Sequence, residues 1–372
     1  MPDIVTAACS INVTSRSDLI QRLCLTATKR IPKARKSRHN LTKVLGEALM
    51  STMQAARIVR PHEFEIITVP TPIPCHGEVL VRVELTSVCG SDLRRFDRVL
   101  AEEQYPLPTA HPSHECAGVI VKSRSDLYHE GQRVIALPFN STGLAEYMAV
   151  PASRIIPLPD NGDMHTLLMC QHAGTVMHSC KQIGNVLGKT VAILGQGAIG
   201  LNFTYWMHRL GARQIIVTDL IAHRLDVAYS LGASLTTNPQ EQDVLSTIAN
   251  ATDGELADVV VEAAGEPETV NQMFSVLKVA GTAIVFAEPR LLDEFIFNFD
   301  TMQTRLPTIV STLSARTDDP AQCIKECVEL VRQGRLDLSH LVTHRLPFGE
   351  IQKAFDLYSE KRDNIIKVVV EL

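Results

Sequence analysis

Residues 189–212 read KTVAILGQGAIGLNFTYWMHRLGA, and the fold turns on them. Thr190 to Leu194 form an apolar run of strand length, the pattern of a strand buried on both faces. Three glycines follow, in the order Gly195-Gln196-Gly197-Ala198-Ile199-Gly200. A helical stretch then runs to Gly211, and glycine suits a helix end. A GxGxxG sequence alone is a weak signal; between a strand and a helix it becomes specific. Glycines there let the backbone approach a pyrophosphate, which rests on the amides of the helix N-terminus. Gly195, Gly197, Ala198, Ile199 and Gly200 are therefore the candidate phosphate contacts.

Working outward, the same alternation continues. RQIIVTD (213–219), ADVVVEAAG (257–265) and GTAIVFAE (281–288) read as strands. IAHRLDVAYSLGA (221–233) and PETVNQMFSVLKVAG (267–281) read as helices. Buried strands alternating with amphipathic helices predict parallel βαβ units. Asp219 ends the second strand, nineteen residues after Gly200. A carboxylate there accepts from both hydroxyls of an adenosine ribose and repels a 2′-phosphate, which favours NAD over NADP. Arg224 lies nearby, on the following helix.

Toward the N-terminus the texture is different. QAARIVR (54–60), FEIITVP (64–70), GEVLVRVELTSV (77–88), CAGVIVKS (116–123), GQRVIAL (131–137) and GLAEYMAVPASRIIPLP (143–159) are short, β-branched and bounded by Pro or Gly. That spacing predicts a compact antiparallel β-rich domain or barrel. Beyond the βαβ series, DDPAQCIKECVELVRQGRL (318–336) predicts one more helix and IIKVVVEL (365–372) a closing strand. Within the β-rich part stands SVCGSD (87–92), and twenty-five residues after Cys89 comes His114 in PSHECAG (112–118). Cys89, His114 and Glu115 offer a thiolate, an imidazole and a carboxylate, a ligand set that suits a catalytic zinc with one position left open.

From Met53 to Leu372 the chain resembles the zinc-dependent medium-chain dehydrogenases/reductases, the superfamily of alcohol, polyol and threonine dehydrogenases. The resemblance rests on CGSD at 89–92, HE at 114–115, GQRV at 131–134, GLAEY at 143–147, the GxGxxG at 195–200 and the tail LVTHRLPFGEIQKAFDL…NIIKVVV. It implies an α/β plus β fold: a GroES-like β-barrel catalytic domain with an inserted Rossmann domain, a doubly wound parallel sheet. The expected bounds are 53–177 for the catalytic domain, 178–310 for the Rossmann domain and 311–372 for the return to the catalytic domain. By position, the resemblance makes Cys89 and His114 zinc ligands, with Glu115 against the metal as ligand or exchange partner. Ser91 would hydrogen-bond the substrate alcohol, and Asp92 would orient His114. Thr175 would touch the nicotinamide, Gly265 would lie in the loop over the cofactor, and Lys367 would stand near the cofactor phosphates or Asp92.

The chain departs from that pattern at several points. Ser113 replaces the usual glycine before His114, and the four-cysteine lobe of a structural zinc is missing, so one catalytic zinc and no structural zinc is expected. The usual third-ligand position, four residues before Thr175, is Gln171, a neutral and weaker donor. Cys170 stands beside it, turned about 100° away on a helix. Both stay candidates after Cys89, His114 and Glu115. Arg94 occupies the place, five residues after Cys89, where relatives often relay a proton through histidine; a guanidinium is no base near neutral pH. His111, His172 and His178 flank the motifs and read as loop or core residues.

Composition narrows the partners. With 372 residues, 45% hydrophobic content and a net charge of −5, the chain carries two real cores and no basic footprint for nucleic acid. No apolar run reaches the ~18 residues of a membrane span. Nine cysteines, an odd number with no C-x-x-C pair, suit a reducing compartment, and cytoplasmic location is expected. Cys323 and Cys327 read as small residues on one helix face. Residues 1–52 are basic, with nine Lys/Arg from Arg16 to Lys43 against Asp3, Asp18 and Glu47, and without a secretory apolar core. They read as a poorly ordered extension, either upstream of a working start at Met50 or Met53 or a targeting segment.

The expected activity is NAD-dependent, zinc-dependent, reversible oxidation of a small secondary alcohol, polyol or sugar-derived alcohol. Two rivals stand beside it: a zinc-free reductase of activated double bonds or quinones, and a non-catalytic dinucleotide-binding protein. A homodimer or homotetramer built through the Rossmann domain is expected.

Overall fold

The computed structural model describes residues 51–291, 294–313, 317 and 319–372; nearly all of the basic extension lies outside them. β1 (Thr52–Arg60) and β2 (Glu63–Pro70) form an antiparallel hairpin. β3 (Glu78–Ser87) comes next and is followed by α1 (Gly90–Phe96). β4 (Glu115–Ser123), β5 (Arg133–Ala136), β6 (Tyr147–Pro151) and β7 (Ile155–Pro157) complete this stretch. β3 pairs antiparallel with both β4 and β6, β4 with β5, and β5 with β7. The hairpin joins this sheet where the amide of Ala56 donates to the carbonyl of Leu144. Val79, Val81, Ile120, Val134 and Ile155 are fully buried inside it, while Arg82 and Lys122 on the same strands point outward. The period-two alternation of these strands is what folds the β half.

α2 (Met164–Leu168) and α3 (Cys170–Ile183) lead into the second half. The boundary expected at 177/178 falls inside α3, which runs on to Ile183 because Val176, Cys180 and Ile183 bury on one face. The predicted βαβ series follows. It consists of β8 (Thr190–Leu194), α4 (Ala198–Arg209), β9 (Gln214–Thr218), α5 (Ala222–Ser230), β10 (Leu235–Thr237), α6 (Val244–Ala251), β11 (Ala257–Glu262), α7 (Pro267–Ser275), β12 (Leu277–Val285), α8 (Phe299–Arg305) and β13 (Thr308–Ser311). The six strands are all parallel, in the order β10-β9-β8-β11-β12-β13. The order reverses between β8 and β11, so the crevice beyond their carboxyl ends is the ligand position of a doubly wound sheet.

One helix expectation was too long. The stretch 267–281 is helical only to Ser275, and Leu277–Gly281 begin β12. Val276 and Leu277 are fully buried, and β12 bulges so that Ala257 faces Leu277 but Val259 faces Thr282. The boundary expected at 310/311 likewise falls inside β13.

The chain then returns through α9 (Gln322–Arg332), β14 (Val342–Pro347), α10 (Ile351–Ser359) and β15 (Lys367–Glu371). β15 pairs antiparallel with β3 and parallel with β14, which puts Lys367 in the first sheet. One core unites the halves: Ala173 and Val176 of α3, Val191 and Ile193 of β8, and Ile324 and Cys327 of α9 share a buried cluster.

Candidate active site

The metal-ligand candidates come from neighbouring strands. β3 ends at Ser87, and Cys89 is the residue that caps α1, with Asp92 at the third helical position. β4 begins at Glu115, and the β3–β4 pairing sets Ser87 opposite Glu115. One donor atom from each of Cys89, His114 and Glu115 lies within 4.8 Å of the other two. Asp92, fully buried, accepts a hydrogen bond from Nδ1 of His114 at 3.0 Å, which leaves Nε2 for a metal. The second Asp92 oxygen accepts from the amide of Cys89 at 2.9 Å, so one carboxylate fixes both ligands. Burial disfavours an imidazolium at His114, but Asp92 and Cys89 outweigh it and raise its pKa well above the usual histidine value. A thiolate, a half-buried imidazole of fixed tautomer and a carboxylate within one ion's reach fit zinc.

Glu115 is more constrained than the sequence suggested. It is fully buried, its oxygens lie 2.8 and 3.0 Å from Nζ of Lys367, and it accepts from the Ser87 hydroxyl. Burial pushes its carboxyl up, yet Lys367, helped by His172 and His114, holds it well below the usual carboxylate range. This corrects the placement of Lys367. Its side chain is 2% exposed and lies beneath the ligand cluster, where a desolvated ammonium needs a buried counter-charge. Its partner is Glu115, not Asp92.

A further correction comes from α3. Cys170 sits in the apolar core with Ala173 and Cys327, where burial pushes its thiol up to about 12. Cys170 is not part of the cluster that Cys89, His114 and Glu115 form, so it leaves the metal set. Gln171, beside it, is buried. His172 is a core residue, one of the two readings the sequence allowed, but its charged surroundings were not legible there. It is fully buried against the Glu115–Lys367 pair, and burial together with Lys367 lowers its pKa to about 4. Nδ1 bonds the carbonyl of Met169 at 2.6 Å, while Nε2 is buried and finds no hydrogen-bond partner among the described residues. No spacing signal marks it beyond its place next to Gln171. His111 and His178 stand apart, held by the Asn140 carbonyl and by Gln182. Thr175 is half-buried, its hydroxyl donating to the carbonyl of His172 at 2.7 Å.

The glycine turn lies at the switch point. A Cβ at Gly200 would stand 1.9 Å from the Gly195 carbonyl, so only glycine permits this turn. In front of α4, a Cβ at Gly197 would meet nothing nearer than Nη1 of Arg224 at 3.9 Å, open ground where a phosphate can approach Ala198 and Ile199. Asp219 already accepts from the amides of Gln196 (2.7 Å) and Ile221 (2.9 Å), and each oxygen keeps a lone pair for a ribose hydroxyl. Arg224 divides its guanidinium: Nε donates to the Ile365 carbonyl at 2.9 Å, and Nη1 stands 3.8 Å from Asp219. Gly265 has φ +75°, and a Cβ there would meet the Glu288 carbonyl at 2.5 Å. This donor-lined crevice fits a dinucleotide.

Comparison with known proteins agrees with this geometry. A family model described as an alcohol dehydrogenase GroES-like domain matches residues 75–160, and one described as a zinc-binding dehydrogenase matches 198–331; together they span more than half of the chain. An alcohol dehydrogenase of Cupriavidus necator is 28% identical, over 87% of this chain and 100% of its own length. A sorbitol dehydrogenase of Bacillus subtilis is 26% identical, over 86% and 97%. Among solved structures, an oxidoreductase/dehydrogenase of unknown specificity from Escherichia coli superposes with a TM-score of 0.74 at 26% identity, covering 86% of this chain and 99% of that one. With the GroES-like β half, the parallel nucleotide-binding sheet and the Cys–His–Glu cluster in place, the chain belongs to the zinc-type medium-chain dehydrogenase/reductase family and is an alcohol dehydrogenase-type oxidoreductase.

Proposed function

We propose that this protein is an NAD-dependent dehydrogenase with a single catalytic zinc, interconverting a small secondary alcohol, polyol or sugar-derived alcohol and its carbonyl. The observation that carries the proposal is the convergence of Cys89, His114 and Glu115 on one point, with Asp92 behind two of them. When bound, zinc supplies a Lewis acid that lowers an alcohol's pKa much as it lowers that of water, from about 16 toward about 7, and the dinucleotide supplies the hydride acceptor.

The chain's own residues do the rest. Asp92 locks the His114 tautomer, and Lys367 with Ser87 aims Glu115 at the ligand cluster. Ser91, in the first turn of α1, accepts the hydroxyl proton on Oγ. Glu115 is a weak onward acceptor, because both its oxygens are engaged and its pKa is held low. Arg94 is no base. The proton therefore passes from Ser91 to solvent without either residue. Thr175 and Gly265 would line the nicotinamide end of a bound dinucleotide, and Asp219 would take its adenosine ribose hydroxyls, which supports NAD over NADP. Gln171 is a neutral carbonyl donor available to the metal.

The sorbitol dehydrogenase among the relatives supports a hydroxyl-rich substrate. A panel of secondary alcohols, polyols and sugar acids, each offered with NAD and with NADP and followed by absorbance of the reduced dinucleotide, tests the reading. Turnover of one class with NAD is expected. The neutral Gln171 favours the zinc-free reductase instead, and reduction of a quinone or enone by protein inert to every alcohol would establish that rival.

A further inference from the structure

α1 carries more than Ser91 and Asp92. Arg94, Asp97 and Arg98, at and beyond its C-terminal end, all meet one segment of the nucleotide-binding half, residues 288–290 after β12. Nε of Arg290 stands 2.5 Å from Oδ2 of Asp97. Nη2 of Arg290 donates to the Ser359 hydroxyl at 2.9 Å and carbonyl at 3.1 Å, and that hydroxyl donates to Oδ1 of Asp97 at 2.7 Å. Arg98 donates to the carbonyls of Arg290 (2.9 Å) and Pro289 (3.2 Å), and Arg94 stands 3.8 Å from Glu288. His62 adds its Nδ1 at 3.6 Å from Asp97. The Asp97 side chain is 2% exposed, so these contacts surround a desolvated charge rather than a solvated surface pair.

On its other side, the same segment meets the loop after β11. The Glu288 carbonyl fills the space a Cβ at Gly265 would need. The amides of Ala264 and Gly265 donate to Oε1 of buried Glu262, each at 2.9 Å. Ala264 in turn lies 3.0 Å from the Cβ position of Gly195, in the glycine turn. Close neighbours thus run from the helix bearing Ser91 to the dinucleotide crevice.

We infer that Asp97 and Arg290 are a positioning pair that sets the Ser91 helix against the loop covering the dinucleotide, an inference that rests on the dehydrogenase reading above. Neither side chain belongs to the ligand cluster, and neither is a catalytic residue. Their chemistry suits alignment: a forked guanidinium held at once by a carboxylate and a serine fixes direction as well as distance, which apolar packing between halves does not. The reaction takes a proton on the catalytic side and a hydride on the nucleotide side, and a misplacement of ~1 Å between such groups costs about 100-fold in rate.

A chain of contacts is a path of coupling only if perturbing one end moves the other. The test uses Asp97→Asn, which is isosteric, Arg290→Lys, which keeps the charge but loses the fork, and Ser359→Ala as the mildest change. Two readouts are taken on the full-length protein: hydrogen exchange of segments 263–269 and 286–291 followed by mass spectrometry, and the dissociation constant for NADH. The inference expects faster exchange in 263–269 as well as 286–291 in each variant. It also expects NADH binding weakened by at least about fivefold, within the range of ordinary coupling energies. Zinc content should not change. Faster exchange confined to 286–291, with NADH affinity within about twofold of wild type, would reduce the pair to a structural staple and overturn the inference. Wild-type protein that binds neither NADH nor NADPH would sink the dehydrogenase reading, while the exchange in 263–269 would still decide whether the coupling exists.

Discussion

Asp219, just past β9, and Glu262, at the end of β11, flank β8 in one sheet and show how differently a carboxylate can be employed. Asp219 holds two backbone amides and faces the open crevice, so its charge is available to a ligand. Replacing it, as Asp219→Ser, removes the repulsion toward a 2′-phosphate. The ratio of kcat/KM for NAD over NADP should fall by at least about tenfold, the scale of one lost charged hydrogen bond. An unchanged ratio in steady-state kinetics would show that Asp219 does not choose the cofactor. Glu262 is buried and accepts three hydrogen bonds on Oε1, while Oε2 has no partner among the described residues. Burial raises its pKa in the folded protein. Between the unfolded value, about 4.3, and that raised value, the native state binds the extra proton, so this group's contribution to stability declines as pH rises. Glu262→Gln lacks that titration. Its melting temperature relative to wild type should therefore improve from pH ~4.5 to ~7.5. A difference that stays flat or moves the other way would contradict the burial argument.

At the scale of elements, local chemistry decides where segments start and stop. Asp163 caps α2 by accepting from the amide of Thr166 at 3.1 Å and its hydroxyl at 2.9 Å. Asp163→Ala should cost about 1 kcal/mol of unfolding free energy, read by denaturant titration, and leave zinc content intact. Much of the element plan was legible. Strands β1, β3, β4, β8, β9, β11 and β15 and helices α4, α5 and α9 lie where alternation, unbroken apolar runs and helical periodicity predict them. The overrun of α7 arose because Val276-Leu277-Lys278-Val279 fits either pattern, and only pairing with β11 settles it as strand. The site was legible where motif and geometry coincide, at Cys89, Asp92, His114 and the glycine turn. It was illegible where a role depends on what lies across a fold. Lys367 and Glu115 are 252 residues apart, and nothing local announces their pairing. Cys170 and Gln171 are sequence neighbours on one helix, but the thiol faces the core. His172 shares that blindness, because its significance comes from burial against two distant charges.

For the whole molecule, two halves must be held in register while a crevice between them stays open to ligands. The shared core under α3, β8 and α9 supplies bulk cohesion, and the C-terminal return threads β15 into the first sheet. At the far edge of the parallel sheet, β13 pairs among the described residues with β12 alone, and Ile296, Phe299, Leu306 and Ile309 nearby are exposed. We propose that a second copy covers this edge. Light scattering should then give a solution mass of two or four times 41.0 kDa; a monomer at micromolar concentration would contradict that expectation.

The central claim is that Cys89, His114 and Glu115 hold a catalytic zinc despite the glutamine at 171. The direct measurement is elemental analysis of protein purified without chelators, beside the Cys89→Ser variant. The account predicts about one zinc ion per chain in the wild type, and loss of most of it in the variant. Folded, NADH-binding wild-type protein with no zinc, or a variant that keeps all of it, would contradict the account.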